Sequence, residues 1–513
     1  GGDCGVRFPR AAGSVHRSGK GMIYGERVSR REFVRYASAG AASAFLGGCA
    51  APPTRSTPPP SDTKPKSRRR GYSPARTDLI DRDAFSRLAE IALDAATADH
   101  TFVSLEDRAG GTTRFDANQV IENDDARQQT LSVQAAFGQQ SGNAATTDLS
   151  DEAVRDAVRR AEEIAKASPE DLEHLPPLPP QRYPVLPTLR METAAAGPGW
   201  RLAEAQRAIE LCRAEGLAAA GSVSTVVHAV GLAADTGLLA YEQRGRAEFT
   251  LTAGGENSTG AARSANRSID DLGVVARTRV AIETAKRSAE PREIPAGRYT
   301  VILAPSAVAG LLGPLLRVAD ARSYHAGSSP YAGKLGQRII DQRLTLQNRP
   351  DHPALLGNGF DQQGLPSDSH TWIERGVLKR LNYDRFMAKE HGVEPSYRPD
   401  AVHLSGEGPA GETVEDLIAS VERGILVSDL CDIRPVNGTG LALTGTTCNG
   451  TFLVEDGQVA TGLIDFRWHE SPLQAFNRIA AFTTPIEAAG DYGKMLLPAM
   501  TIRDFEFTNV ART

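Results

Sequence analysis

The sequence predicts an α+β fold, with an N-terminal mixed α/β region followed by a C-terminal domain dominated by antiparallel sheet. Three observations lead there. Two short apolar pairs, 372–374 with 377–379 and 452–455 with 458–459, are each joined by a two-residue turn ending in glycine, Arg375-Gly376 and Asp456-Gly457. Such turns select antiparallel hairpins, because both turn residues take positive φ. Glycine (49) and proline (31) are plentiful, which favours many turns and therefore sheet. Finally, 513 residues exceed one ordinary core, so two or three domains are expected.

Bulk composition narrows the function classes. The net charge of -5 gives no general pull toward nucleic acid, and no window approaches membrane-spanning length. The five cysteines, Cys4, Cys49, Cys212, Cys431 and Cys448, show no paired C-x-x-C spacing, so neither a zinc ribbon nor a disulfide framework is indicated. Cys431 and Cys448 either pair in an oxidising compartment or sit as small apolar residues.

Residues 1–49 read as an upstream segment plus an export signal, with Met22 as the expected start. Ser29-Arg30-Arg31-Glu32-Phe33-Val34 has the twin-arginine pattern, with Arg30 and Arg31 as its pair. A mild apolar run follows and ends in Leu46-Gly47-Gly48-Cys49, which resembles a bacterial lipobox. Small residues before Cys49 let a signal peptidase grip an extended backbone, and acylation of the thiol would then anchor the chain. The expectation is an exported lipoprotein on the outer side of the cytoplasmic membrane or in the periplasm, folded before transport. Residues 50–77 form a proline-rich linker with a basic cluster, Arg68-Arg69-Arg70.

The folded part is divided at 78–190, 191–290 and 291–513. The first segment opens on a helix over 78–97, with Leu79, Phe85, Leu88, Ile91, Ala92 and Ala95 near one face. Strands are expected at 101–105 and 128–137. Ser150 then caps a helix that Asp151 and Glu152 begin and Pro169 stops. Residues 175–187 hold six prolines and read as a boundary or a rigid strap. The second segment predicts helices over 202–215 and 268–288 around strands at 218–229, 238–244 and 248–253. In the third, an apolar strand at 301–305 leads into a helix over 306–321. Thr413 and Asp416 form a capping box for a helix over 414–423 that Gly424 stops.

Between the 306–321 helix and a strand-like segment at 338–340 lies the stretch 323–337, rich in glycine and small hydroxyls. It reads either as a binding loop with free backbone amides or as an ordered connector whose glycines only solve turn geometry. Tyr331, Lys334 and Gln337 are its candidate peptide or partner contacts. Lysine offers a positive point to a carboxylate and tyrosine a flat apolar face; the alternative is that they fasten the loop to its own domain.

Several motifs together carry a family likeness. They are Pro330-Tyr331-Ala332-Gly333-Lys334-Leu335-Gly336-Gln337-Arg338, Phe360-Asp361-Gln362-Gln363-Gly364-Leu365-Pro366 and Ile373-Glu374-Arg375-Gly376-Val377-Leu378-Lys379. Glu422-Arg423-Gly424-Ile425-Leu426-Val427, Phe452-Leu453-Val454-Glu455-Asp456-Gly457 and Leu497-Pro498-Ala499-Met500-Thr501-Ile502 extend the likeness, and Thr146-Thr147-Asp148-Leu149-Ser150 is similar to the family's first domain. Together these motifs resemble the TldD/PmbA family, also called modulators of DNA gyrase, over roughly 77–513. The resemblance implies a peptidase acting on unfolded or small peptides, in which a metal-bearing TldD subunit pairs with a TldE/PmbA subunit lacking the metal motif.

The TldD motif is two histidines and a glutamate on one helix after a strand ending in proline. Histidines on one helical face share a zinc ion, and the glutamate takes a proton from bound water. Here the matching positions read Gly313, Pro314 and Val318, and the late TldD cysteine falls in Gly490-Asp491-Tyr492-Gly493-Lys494. The resemblance therefore implies a TldE/PmbA-like chain with no catalytic or metal residues of its own, and zinc in a TldD-like partner. Two rivals remain: a stand-alone peptide-binding lipoprotein without catalysis, and a metallopeptidase with atypical ligands drawn from His325, His352, His370 and His403. His469-Glu470 begins like a zinc helix, but Pro472 breaks the turn. Gly327 to Leu335 has the wrong glycine spacing for a phosphate loop. No Gly-x-Ser-x-Gly elbow is present.

Overall fold

The computed structural model describes residues 78–396, 398–408, 411–437, 440–490 and 493–511. Arg30, Arg31, Cys49 and the 50–77 linker lie outside them. The described chain is 25% helix and 42% strand, as an α+β fold requires.

The N-terminal body begins with α1 (Arg82–Ala95), capped by the Asp81 carboxylate, which accepts from the Ala84 amide at 2.8 Å. Its buried residues Phe85, Leu88, Ala89 and Ala92 follow the helical period. There follow β1 (His100–Asp116), β2 (Gln119–Asn123), β3 (Ala126–Phe137), β4 (Gln140–Thr146) and α2 (Asp151–Ala167). The Ser150 cap of α2 is observed, its hydroxyl accepting from Ala153. Residues 168–190, which include the proline-rich 175–187, form no helix or strand beyond a bridge from Glu170 to Gln140. After α3 (Met191–Ala195) and α4 (Pro198–Ala214) come β5 (Ala218–Ala234), β6 (Leu239–Gly254), β7 (Thr259–Asn266) and α5 (Val274–Arg287).

These strands make one sheet in the order β4-β3-β1-β5-β6-β7, with β2 paired to β1. Strands from both sides of the boundary expected at 190/191 therefore share a single sheet. Alternating buried and half-exposed residues along β5 and β6 mark a sheet covered by helices on one face. Strand β1 is far longer than the expected 101–105, since it pairs with β3 on one edge and β5 on the other. Its polar centre is accommodated because Asp107, fully buried, accepts from Arg127 at 2.8 and 3.0 Å and from the Ile80 amide at 2.8 Å. Strand β6 is continuous where two strands were expected. Gly245 carries it past the strap, and a Cβ there would meet Leu189 at 2.9 Å.

The C-terminal body comprises β8 (Gly297–Leu303), α6 (Pro305–Arg317), α7 (Ala321–His325), β9 (Leu344–Asn348), β10 (His370–Glu374), β11 (Val377–Leu378), α8 (Arg385–His391), β12 (Val402–Gly406), α9 (Val414–Ala419), β13 (Arg423–Asn437), β14 (Ala442–Glu455), β15 (Gln458–Gly462), β16 (Phe466–Glu470), α10 (Pro472–Ala475), β17 (Ile479–Phe482), β18 (Ile486–Gly490), β19 (Gly493–Leu497) and β20 (Met500–Val510). One sheet runs β11-β10-β9-β12-β19-β18 and another β13-β8-β20-β16-β14-β15, with β17 on β20. Pairing is antiparallel except for β12 with β19 and β13 with β8.

Helix α6 is apolar all round and buries Ala307, Val308, Ala309, Leu311, Leu312, Leu315 and Leu316. Such a helix belongs inside a core, and it lies between the two sheets. Gly310 approaches Leu430 and Ile433 of β13, while Ala309 faces Gly490 of β18.

Both predicted hairpin turns are present, with Arg375 at φ 46 and Gly376 at φ 76, and Asp456 at φ 50 and Gly457 at φ 73. The Thr413–Asp416 capping box is present too. Its helix ends at Ala419, and Gly424 belongs to β13, paired with Val454. Residues 338–340 form no strand: Arg338 makes a single bridge to Val377. The helix expected over 268–288 starts only at Val274, after Gly273 at φ 60. Among the described residues, no helix is long and apolar enough to cross a membrane.

Candidate functional site

The stretch 323–337 folds onto the C-terminal end of α6, and the chemistry of a helix end explains how. The last carbonyls of a helix lack intrahelical donors. The Tyr331 hydroxyl donates to the Leu315 carbonyl at 3.0 Å, and the Ser329 hydroxyl to Val318 at 2.8 Å. Tyr331 is only 1% exposed. It offers no face to a peptide, so its role as a contact is corrected to that of an anchor. The backbone amides of Ser328, Ser329, Ala332, Lys334, Gly336 and Gln337 all donate to carbonyls inside the protein. The loop is thus an ordered connector rather than a cradle of free amides. Gly333 at φ 71 and Gly336 at φ 80 supply its left-handed turns.

The other two candidates line an open cavity of about 780 Å³ beside this loop. Lys334 and Gln337 share it with Arg298, Arg338, Asn477 and Arg478. Four cations there face the single lining carboxylate of Asp504. Arg298 is paired with Glu506 at 2.8 Å and Arg478 with Glu470 at 2.6 Å, which leaves Lys334 and Arg338 as the less committed charges. Lys334 donates to the Pro330 carbonyl at 2.8 Å, and Gln337 to Gly333 at 2.9 Å. The cavity can accept an anionic or amide-rich ligand, since its rim carries cations and side-chain amides.

Comparison with known proteins fits this architecture. Residues 296–509 match the PmbA/TldA metallopeptidase C-terminal domain, and residues 103–165 match PmbA/TldA metallopeptidase domain 1, together more than half of the chain. The chain belongs to the PmbA/TldD family. It is 24% identical over 221 residues to Metalloprotease PmbA of Escherichia coli O157:H7, covering 41% of this chain and 47% of that protein. To a Metalloprotease of Methanothermobacter thermautotrophicus it is 23% identical over 211 residues, 38% of this chain and 45% of that protein. These matches span about half the length of the two relatives. A Metalloprotease PmbA homolog of Haemophilus influenzae is 23% identical over 409 residues, 74% of this chain and 85% of that protein. TldE from Thermococcus kodakarensis superposes with a TM-score of 0.74 at 19% identity, covering 83% of this chain and 99% of that one.

A metallopeptidase relationship raises the question of where a PmbA/TldD chain of this sequence could hold a metal. Gly313 and Pro314 lie in the last turns of α6 and Val318 caps it, and none has a donor atom in its side chain. The four histidines are dispersed. His325 stacks on His391 with ring centroids 3.5 Å apart and meets the Tyr383 hydroxyl at 2.9 Å. His370 bonds Asp368 at 2.9 Å and lies against Trp372. His352 and His403 approach one another, with centroids 5.8 Å apart. Burial, then the neighbouring His352 and Arg349, holds the His403 imidazole below its usual range. His469 lies in β16, paired with Thr444 rather than on a helix. Cys431 and Cys448 form a disulfide. Cys212, buried, has its thiol pushed up to about 11 by burial, which leaves it unreactive.

Sequence reading missed the polar junction between the two bodies. Glu487 on β18 accepts from the Ser264 hydroxyl at 3.2 Å, the Ala265 amide at 3.3 Å and Arg277 at 2.5 Å. Lys494 on β19, 6% exposed, lies 3.7 Å from Glu487 and donates to Asn266. Burial pushes its ammonium below the ordinary lysine value. Scattered single charges in strand-like segments carry no periodic signal that could have revealed this.

Proposed function

We propose that this chain is the TldE/PmbA-type subunit of an exported TldD/TldE-type peptidase complex, acting on unfolded or small peptides. The catalytic zinc would belong to a TldD-like partner, and this chain would help shape the peptide cleft, with Lys334 and Arg338 reading peptide carboxylates. The observation that carries the reading is the α6 turn: the side chains of Gly313, Pro314 and Val318 have no donor atom, so the residues present do not fit a catalytic ion. Export through Arg30 and Arg31 and anchoring through Cys49 find support in the Cys431–Cys448 disulfide, because such bonds persist in oxidising compartments.

The test is reconstitution. The chain with its disulfide intact, purified alone and together with a metal-bearing companion from its native membrane, is offered an unfolded peptide. Cleavage should require the companion and stop on chelation. Cleavage by the isolated, oxidised chain, abolished by a chelator and restored by one zinc per polypeptide, overturns the reading. A chain that captures peptide with no metal-bearing companion in any native preparation would instead be the stand-alone binding lipoprotein.

A further inference from the structure

Among the described residues, one group of three potential metal ligands has its donor atoms within 4.8 Å of one another: Asp429, Cys431 and Cys448. The sheet assembles it. Successive strand residues point to opposite faces, so Asp429 and Cys431 share a face of β13. The register pairs Asp429 with Cys448 and Cys431 with Thr446, which brings Cys448 of β14 to the same face. Leu430 points the other way, toward Gly310 of α6. The group therefore faces away from α6, the helix that carries Gly313 and Pro314. Irregularities in the pairing flank it at 427/429 and 431/434, and the residues after each cysteine, Asp432 and Asn449, take left-handed φ of 51 and 54. Bulged pairing of this kind re-aims side chains at functional positions.

We infer that reduction of the Cys431–Cys448 disulfide opens a zinc-class metal site whose ligands are the two cysteine thiolates and the Asp429 carboxylate. The reductant is a dithiol. Its two thiols exchange with the bond, it leaves as a disulfide, and two electrons and two protons pass to Cys431 and Cys448. Metal binding then releases the thiol protons, because thiolates are the ligands. Two thiolates select a borderline-soft ion such as zinc over magnesium or calcium. Tetrahedral bonds of about 2.3 Å to each sulfur hold the two sulfurs about 3.8 Å apart, which cysteines with Cα atoms 6.1 Å apart can span.

The surroundings suit the charge. Two thiolates and a carboxylate around a divalent ion leave one net negative charge, and Arg263 of β7 stands 3.6 Å from the Asp429 carboxylate to balance it. Asn449 directs its amide at both ligands, 3.3 Å from Asp429 and 3.7 Å from the Cys448 sulfur. Turning that amide over presents its carbonyl oxygen as a fourth donor; otherwise water completes the tetrahedron. The same atoms thus cross-link the β13–β14 hairpin in either condition, covalently when oxidised and through an ion when reduced. Because Arg263 comes from the N-terminal body, the exchange is felt where the two bodies meet.

The test uses the full chain and needs neither peptide nor partner, so its outcome is independent of the subunit reading. Chain reduced with dithiothreitol and desalted without oxygen is titrated with Co2+, in parallel with oxidised chain. Reduced chain should bind one Co2+ and show the near-ultraviolet thiolate-to-cobalt absorption, and oxidised chain should show none. Asp429→Asn should weaken binding at least tenfold. A Cys431→Ser/Cys448→Ser double variant should lose the band, although Cys4, Cys49 and Cys212 remain. The inference is overturned if reduced and oxidised wild-type chains bind alike, a comparison that requires no variant to fold. It is equally overturned if the double variant keeps the band or if Asp429→Asn binds like wild type.

Discussion

The Tyr331 hydroxyl donates to the carbonyl of Leu315, sixteen residues earlier, at 3.0 Å. With the Ser329 hydroxyl on the Val318 carbonyl, that bond joins the glycine-rich loop to the helix buried between the two C-terminal sheets. Tyr331→Phe keeps the ring in its buried place and leaves the carbonyl unpaired, which costs about 1–2 kcal/mol. Urea denaturation should show the loss, with faster amide exchange across 323–337. Unchanged stability would mean that the loop is held by other contacts.

The cavity beside the loop gives a separable prediction. Lys334→Glu and Arg338→Glu reverse charge on its rim, where neither residue supports the core. In the reconstituted complex each should weaken capture of an unfolded peptide about tenfold, or ~1.4 kcal/mol, while the melting temperature stays within a degree or so. Fluorescence anisotropy with a labelled peptide measures it. Equal affinity in both variants would move the peptide away from this cavity.

Asp107 is a carboxylate buried in the middle of β1. Burial pushes its pKa upward, but Arg127, the Ile80 amide and Gln129 outweigh that and hold it below the ordinary value of 3.8. Asp107→Ala removes the bonds from Arg127 and the Ile80 amide, while Arg127 keeps Asp78 at 3.3 Å, and should cost about 2–3 kcal/mol. Because the folded-state value is the lower one, the stabilisation is complete above pH 3.8 and fades as pH falls through the depressed value. Thermal melts of wild type and variant should therefore converge on acidification, and a constant gap down to the acid limit would contradict the assignment.

Glu487 fastens the two bodies through Ser264, Ala265 and Arg277. Glu487→Ala should cost about 3 kcal/mol and speed amide exchange in β7 and β18 before the rest of either sheet. Uniform exchange across both sheets would show that the junction is held elsewhere.

Sequence patterns revealed what local chemistry decides. The Ser150 cap, the Thr413–Asp416 box and the Arg375-Gly376 and Asp456-Gly457 turns are all where the residues put them. What local signals could not show is partnership across the chain. The strand expected at 101–105 runs on through Asp107 because Arg127 meets its carboxylate, and residues 338–340 read as a strand although only Arg338 finds a bridge. Of the loop candidates, Lys334 and Gln337 reach the cavity, whereas Tyr331 turned inward because a helix end needed a donor. Cys431 and Cys448 share no diagnostic spacing; only the register of β13 on β14 brings them together.

The long central pairing has a consequence during synthesis. Phe102 of β1 lies opposite Ala234 of β5, about 130 residues later, so β1 leaves the ribosome with β3 to pair but with its other edge waiting. Non-local pairing of this kind is slow, and an open strand edge recruits copies of itself. A chain cut between Asp116 and Ala218 would carry that edge permanently, and it should aggregate rather than yield a half-sized domain.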